Sequence, residues 1–228
     1  MDLKELDRVN PESHWYYQSK LVAILRLIKK SKSTPTSIVD VGAGSGFFGK
    51  SIQEKLRTSN LLCVDTNYES EWNEPGIQFK KSSSGISGDL YLFIDVLEHV
   101  KDDSALVSEY LNNAPEGSIF IVTVPAFMSL WSGHDEYLEH FKRYRVCELE
   151  ILVEELGAST ISKGYLFSTI FPIAWAVRRL QSNKSRDSSM KEISVPINAL
   201  LRFVISTEHK LLRNKLFGLS AYILFKKS

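Results

Sequence analysis

Ser37-Ile38-Val39-Asp40-Val41-Gly42-Ala43-Gly44-Ser45-Gly46 is the stretch on which the reading of this chain turns. A short run rich in β-branched residues ends abruptly in three glycines on alternate positions. Such a run reads as a buried strand. Residues 46–57 then return to helical spacing. The order is therefore strand, tight turn, helix. Glycine permits positive φ and removes the Cβ, so a ligand can approach the backbone. The helix that follows leaves N–H groups unpaired at its first turn, pointing toward that ligand.

The pattern repeats outward from this turn. Leu61-Leu62-Cys63-Val64 reads as a second buried strand, ended by Asp65. Residues 66–76 and Ser82-Ser83-Ser84-Gly85 read as loops, with a short third strand at Ile77 to Phe79 between them. Asp89 to Ile94 is a fourth strand and Ser118 to Val124 a fifth, stopped by Pro125. Asp102 is placed to cap a helix that runs through Leu111. Strands alternating with helices predict a parallel sheet with right-handed crossovers. Upstream, Tyr16, Leu21, Ile24, Leu25 and Ile28 recur at helical spacing over 12–30. Downstream, Gly157 to Phe167 holds another strand, Gln181 to Ser189 is a polar linker, a helix covers about 196–214, and residues 219–226 form the last strand. The expected architecture is α/β: a Rossmann-like, doubly wound, mostly parallel seven-stranded sheet in one domain spanning 1–228.

A glycine turn of this kind serves either a nicotinamide dinucleotide or S-adenosylmethionine. Ligands of open α/β sheets sit at the carboxyl ends of the strands. Asp65 ends the second strand there, and its carboxylate can accept hydrogen bonds from both ribose hydroxyls. The dinucleotide pattern G-x-G-x-x-G begins at the strand end. Counted from Gly42, its third glycine falls on Phe47. A match one step later, Gly44-Ser45-Gly46-Phe47-Phe48-Gly49, requires the strand to run on through Gly42. Asp40, two residues before Gly42, offers a carboxylate to the ammonium of S-adenosylmethionine, directly or through water. A dinucleotide carries no such cation.

Ile38 to Gly46 resembles the first motif of class I S-adenosylmethionine-dependent methyltransferases. Asp89 to Ile94, followed by Asp95-Val96-Leu97-Glu98-His99-Val100, is similar to their fourth-strand motif. The resemblance extends almost end to end to one branch of small standalone methyltransferases, of type 11/12. It includes His14-Trp15-Tyr16-Tyr17, the segment Val124-Pro125-Ala126-Phe127 through His140-Phe141-Lys142-Arg143-Tyr144, and Phe217-Gly218-Leu219-Ser220-Ala221. The resemblance implies methyl transfer to O, N or C of a small molecule or peptide. It also implies an acceptor-side segment over 125–150 and a helical lid over about 168–214. Cofactor contacts carry over to Tyr17, Asp40, Gly42, Ala43, Gly44, Asp65, Thr66, Ile94 and Asp95, those at Ile94 and Asp95 through a backbone carbonyl. Two positions depart from the branch. Gln18 replaces the arginine after the aromatic pair, and a Ser-rich run replaces the acidic residue that meets adenine.

Methyl transfer from a sulfonium needs donor and acceptor held in line and, for some acceptors, a proton removed. Histidine suits the second task. His134 is a candidate base or acceptor-positioning residue, with Asp135 its neighbour. The competing reading has both capping a helix. His99 either lines the pocket or is a helix N-terminal histidine held by Glu98. Trp131 and Tyr137 are candidate pocket walls. His140, Arg143 and Tyr144 either bind an anionic acceptor or form the polar face of a short helix. Tyr16 and Tyr17 either close over the cofactor or pack the first helix on the sheet. Glu98, His99 and His134 lack diagnostic metal-ligand spacing, so no metal is expected.

Composition narrows the classes further. The chain has 228 residues, 43% hydrophobic and 24% charged, with net charge +1, values usual for a globular protein. From Lys163 onward there are 12 Lys and Arg against 3 Asp and Glu. This basic third is either a solvated face or a surface for phosphate, an acidic substrate or a membrane. Apolar Phe167 to Val177 and the 196–214 helix, with Arg202, Lys210 and Arg213, either pack as a helical pair or meet an amphiphilic, lipid-linked acceptor. Basic residues interleaved with aromatic ones along a groove are missing, which argues against nucleic acid. Cys63 and Cys147 form no CxxC pair, the N-terminus is charged, and no apolar run approaches the ~18 residues of a membrane span. A cytoplasmic setting is the expectation. The rivals are a nicotinamide-dependent oxidoreductase and a non-catalytic S-adenosylmethionine-binding protein of the same fold.

Overall fold

The computed structural model describes residues 9–82, 85, 87–180, 193–211 and 216–228. The expected polar linker at 181–189 lies outside them, as does part of the Ser-rich loop. The strands are β1 (Ser37–Val41), β2 (Asn60–Val64), β3 (Trp72–Glu74), β4 (Ile77–Lys80), β5 (Leu90–Ile94), β6 (Ile119–Pro125), β7 (Ser159–Leu166) and β8 (Ser220–Lys226). They form one sheet in the order β3-β4-β2-β1-β5-β6-β8-β7. The five strands from β4 to β6 run parallel, and β3, β8 and β7 are antiparallel to their neighbours. The chain order reverses between β1 and β5, which opens a crevice at their carboxyl ends.

Eight strands replace the expected seven. Trp72 to Glu74, read as loop, pairs with β4 across a two-residue Pro75-Gly76 turn. Gly76 supplies the positive φ of +74° that this turn needs. Trp72 stacks on Phe79 with ring centroids 4.1 Å apart and planes 5° apart. All three residues of β3 are exposed, so the strand carries no alternation for a sequence pattern to reveal.

The helices are α1 (Trp15–Ser31), α2 (Phe47–Leu56), α3 (Asp103–Asn113), α4 (Gly133–Tyr137), α5 (Val146–Glu155), α6 (Phe171–Leu180) and α7 (Val195–Leu211). The sheet is covered on both faces. Tyr91, Phe93, Phe120 and Val122 point to the face packed by α3 and α5. Ile38, Leu61, Leu90, Leu92 and Ile121 point to the face packed by α1 and α2. All five residues of β5 are buried, as its place in the middle of a doubly covered sheet demands. Each such apolar side chain contributes roughly 1.5–3 kcal/mol by leaving water.

Two contacts fix the elements that frame the site. The first joins α2 to β1. Gly49 N–H donates to Asp40 Oδ2 at 2.9 Å, and a Cβ on Gly49 would lie 2.8 Å from that oxygen and 2.9 Å from Leu61 Cδ1. The second joins α7 to its surroundings. Glu208 accepts from Ser168 N and Thr169 N at 2.8 and 2.9 Å, and Asn198 accepts from Trp15 N at 2.7 Å. α7 therefore ties the start of α6 to the start of α1. Leu212 and Arg213 lie outside the described residues.

Because α2 cannot move off the sheet without losing the Asp40 hydrogen bond, Gly49→Ala is expected to cost about 2 kcal/mol through overpacking. A lower urea midpoint at unchanged m-value is the expected readout.

Candidate functional site

A cavity of about 710 Å³ opens at the carboxyl ends of β1, β2, β5 and β6. Its floor is Val41-Gly42, Val64 to Asn67, Ile94 to Val96 and Pro125. Tyr16 and Tyr17 of α1 wall one end. Glu98 to Val100, His134 and Leu138 to Phe141 wall the other.

The glycine turn forms the tightest part of the floor. Gly42, Gly44 and Gly46 have φ of +63°, +53° and +73°. Ala43 N–H donates to Val64 O at 3.0 Å, and Gly46 N–H donates to Ala43 O at 2.9 Å. Gly44 N–H donates to Asp65 Oδ2 at 2.8 Å, and Asn67 N–H donates to the other Asp65 oxygen at 2.9 Å. Tyr68 O–H closes the turn on Gly44 O at 2.8 Å. A Cβ on Gly42 would lie 2.6 Å from Val96 Cγ2. β1 stops at Val41 and α2 begins at Phe47. The shifted dinucleotide pattern therefore starts three residues past the strand end, and Gly49 lies inside α2 against β1.

Asp95 follows β5, the strand beside β1, and has a left-handed conformation, φ +56°. Three anchors hold it there: its N–H donates to Thr123 O at 2.8 Å, Thr123 O–H donates to its Oδ1 at 3.2 Å, and Lys20 pairs with its Oδ2. Lys20 is fully buried, and its ammonium also donates to Tyr16 Oη at 2.6 Å. Burial alone would lower the Lys20 pKa; Asp95 and Tyr16 overrule it and the value rises, so Lys20 stays charged. The sequence reading missed Lys20. The available signal was a lysine four residues after Tyr16 on the apolar face of an amphipathic helix, where a charge needs a buried partner.

The opposite wall is organised by Asp135. It caps α4 by accepting from Ser132 N and Oγ at 2.9 and 3.2 Å. Arg143 grips it through Nε at 2.6 Å and Nη2 at 3.0 Å. His140 Nδ1 lies 3.0 Å from its Oδ1. Burial alone would raise the Asp135 pKa, but the bonds from His140 and Arg143 hold it well below the carboxylate range. An ionised carboxylate only accepts, so His140 carries its proton on Nδ1 and turns Nε2 away. Asp135, the sequence neighbour of His134, thus takes the imidazole of His140 as a partner. Consecutive residues of a helix point in different directions, and Asp135 turns toward the chain that returns after α4. Burial pushes the His134 pKa down to about 4 despite the nearby Asp135 charge.

Tyr17, Gly42, Asp65, Thr66, Ile94, Asp95, His99, His134 and His140 all line the cavity. Seven other expected residues do not. Asp40 is buried behind the turn, where it accepts from Gly49, and Ala43 and Gly44 spend their N–H groups on Val64 and Asp65. Trp131 closes the turn Met128–Leu130, and Tyr137 ends α4. Arg143 is spent on Asp135 and on Ala126 O. Tyr144 is 1% exposed, with its hydroxyl 2.8 Å from Asp103 Oδ2 and 3.0 Å from Leu97 O. Arg143 and Tyr144 are therefore framework rather than acceptor contacts. Among the described residues, ligand atoms of Glu98, His99 and His140 lie within 4.8 Å of one another, with His140 in the position that the sequence reading gave to His134.

Comparison with solved structures addresses the fold. A S-adenosylmethionine-dependent methyltransferase from Archaeoglobus fulgidus is 17% identical; the match covers 91% of this chain and 92% of that one, with a TM-score of 0.54. The plantazolicin methyltransferase BamL, crystallised with a triazolic desmethylPZN analogue and SAH, is 12% identical over 92% of this chain and 86% of its own, at 0.56. The chain has the class I methyltransferase fold. No family model and no curated protein matches the sequence. The [4+2]-cyclase SpnF also matches, 12% identical over 84% of this chain and 74% of its own, at 0.50. The methyltransferase fold therefore does not by itself fix the reaction.

Burial raises the Asp40 pKa to about 6, with the Asp65 charge adding to it. The folded value lies above the unfolded one, so the fold favours the neutral acid. That stability is complete below pH ~4 and is lost as pH rises through ~6. Asp40→Asn, whose amide oxygen still accepts from Gly49, escapes the loss. Its stability relative to the wild type should improve by on the order of 2 kcal/mol between pH 4 and pH 8, read from thermal unfolding at both pH values.

Proposed function

We propose that this chain is a S-adenosylmethionine-dependent methyltransferase acting on O, N or C of a small molecule or peptide, with residues 1–228 working as one unit. The observation that carries this reading is the convergence of the glycine turn, Asp65 and Asp95 on one cavity. The donor set fits the cofactor. Gly42 brings its backbone to the cavity, Asp65 and Thr66 offer oxygens for the ribose hydroxyls, and Asp95 and the Ile94 carbonyl serve the amino-acid end. Tyr17 stands at the same end of the cavity. BamL, of the same fold, was crystallised with SAH.

When bound, S-adenosylmethionine supplies a methyl group on a sulfonium, a leaving group that needs no acid. The chain's own work is to orient the acceptor and keep water out. His134, neutral at pH 7 because its pKa lies near 4, is a weak base. Its role is to accept a hydrogen bond from the acceptor and hold the nucleophile in line, with His140 between it and His99 on the same wall. The rigid Asp135 network holds that wall in place.

A second reading, an acceptor carrying an apolar chain, is favoured by the outer helices. Ile173 and Val177 of α6 and Leu200 and Phe203 of α7 are exposed, Phe203 at 71%, near Arg179 and Arg202. No helix among the described residues is long and apolar enough to cross a membrane, so contact would be at a surface. Sedimentation with phosphatidylglycerol vesicles tests it: binding lost in Phe203→Glu supports the reading, and no binding at low salt rejects it.

The main reading is tested by calorimetry with SAH. Wild-type protein should bind. Asp65→Asn should bind about tenfold more weakly, as expected for a charged hydrogen bond to a hydroxyl. His134→Gln should bind as the wild type does, since it faces the acceptor. Folded wild-type protein that takes up no SAH at millimolar ligand rejects the assignment.

A further inference from the structure

We propose that Glu98, His99 and His140 form a binding site for one first-row divalent cation at the acceptor end of the cavity. Glu98 and His99 sit on the short helical turn Leu97–His99 that follows β5, and His140 arrives from the loop after α4. The loop is stitched to the turn: Phe141 N–H donates to Glu98 O at 2.7 Å, and the Tyr144 hydroxyl lies 3.0 Å from Leu97 O. Their ligand atoms fall within 4.8 Å of one another. Ligands at about 2.1 Å on a tetrahedral ion stand about 3.4 Å apart, so small side-chain rotations bring the three onto one ion.

Two independent features point to a cation. Glu98 belongs to the cavity lining yet is fully buried, and among the described residues neither of its carboxylate oxygens has a hydrogen-bond partner in another residue. A buried carboxyl without a partner is costly, and a bound cation relieves that cost. His140 is already oriented as a metal ligand. Its Nδ1 is held by Asp135, which Arg143 holds in turn. Such a carboxylate behind the ring fixes the tautomer and directs Nε2 to the metal. Two imidazoles and one carboxylate suit zinc, iron(II) or manganese, and they leave coordination positions open. The open positions face the cavity, where they take an oxygen of the acceptor. The acceptor class is therefore a hydroxylated or carboxylated molecule. That last step rests on the methyltransferase reading; the metal site does not.

The test uses the full chain dialysed against EDTA and titrated with Co²⁺. One equivalent is expected to bind at micromolar affinity, with d–d bands typical of nitrogen and oxygen ligands. Co²⁺ should also raise the thermal midpoint of the wild type. Glu98→Gln and His99→Ala should each weaken binding at least tenfold. His99 is half-buried, so its variant keeps the claim testable if Glu98→Gln fails to fold. No Co²⁺ uptake at millimolar metal, wild-type affinity in the folded variants, or a thiolate charge-transfer band from Cys147 or Cys63 overturns the proposal. SAH binding without Co²⁺ binding rejects the metal site alone. Co²⁺ binding without SAH binding rejects the methyltransferase reading alone.

Discussion

The hydrogen bond from Gly44 N–H to Asp65 joins the ends of two neighbouring parallel strands, and the rest of the site depends on it. β1 and β2 could each end in many ways. Once Asp65 holds the turn and Tyr68 closes it from behind, the backbone of Gly42 must lie against Val96 with no room for a Cβ. The crevice at the strand-order reversal then acquires a fixed floor. Asp95, held in an unfavourable backbone region by Lys20 and Thr123, completes that floor at the end of the neighbouring strand β5. Strain of this kind persists only where surrounding structure over-determines it. The ion pair with a fully buried lysine does so here.

The far wall follows a different logic. Asp135 is one carboxylate serving a helix cap, a guanidinium and an imidazole. Its own burial would cost free energy if any of the three were absent. Together they make the loop after β6 a rigid body joined to the turn after β5. The donor-side floor and the acceptor-side wall are thus built separately, one from backbone geometry and one from a side-chain network. They are joined where the wall loop bonds back to the turn after β5 and to Pro125.

This division explains what was legible in the sequence. The buried strands announced themselves as continuous apolar runs, because a sheet covered on both faces leaves no polar alternation. Asp102 capped α3 as its position implied. Asp65, Thr66, Ile94 and Asp95 line the cavity because strand ends sit at fixed points of this fold. The side-chain network was not legible. Arg143 and Asp135 meet after a reversal of the chain, and nothing in their spacing says which of His134 and His140 the carboxylate will take. β3 was missed because an exposed three-residue strand buries nothing. Lys20 was missed because its partner, Asp95, lies far along the chain. Asp40 looked like a ligand from its distance to the glycines, yet it faces α2 because Gly49 leaves room there for its carboxylate.

The Asp135 network has a consequence for how such a protein diversifies. Ser132, Asp135, His140 and Arg143 hold one another, and three of the residues between them turn their side chains to the surface. Glu136 and Glu139 are exposed, and Phe141 is 51% exposed. Substitutions there reshape the entrance without touching the scaffold. The loop is in this sense an interchangeable rim on a conserved geometry. One acceptor can be exchanged for another by substitution at three surface positions while the Asp135 network stays in place.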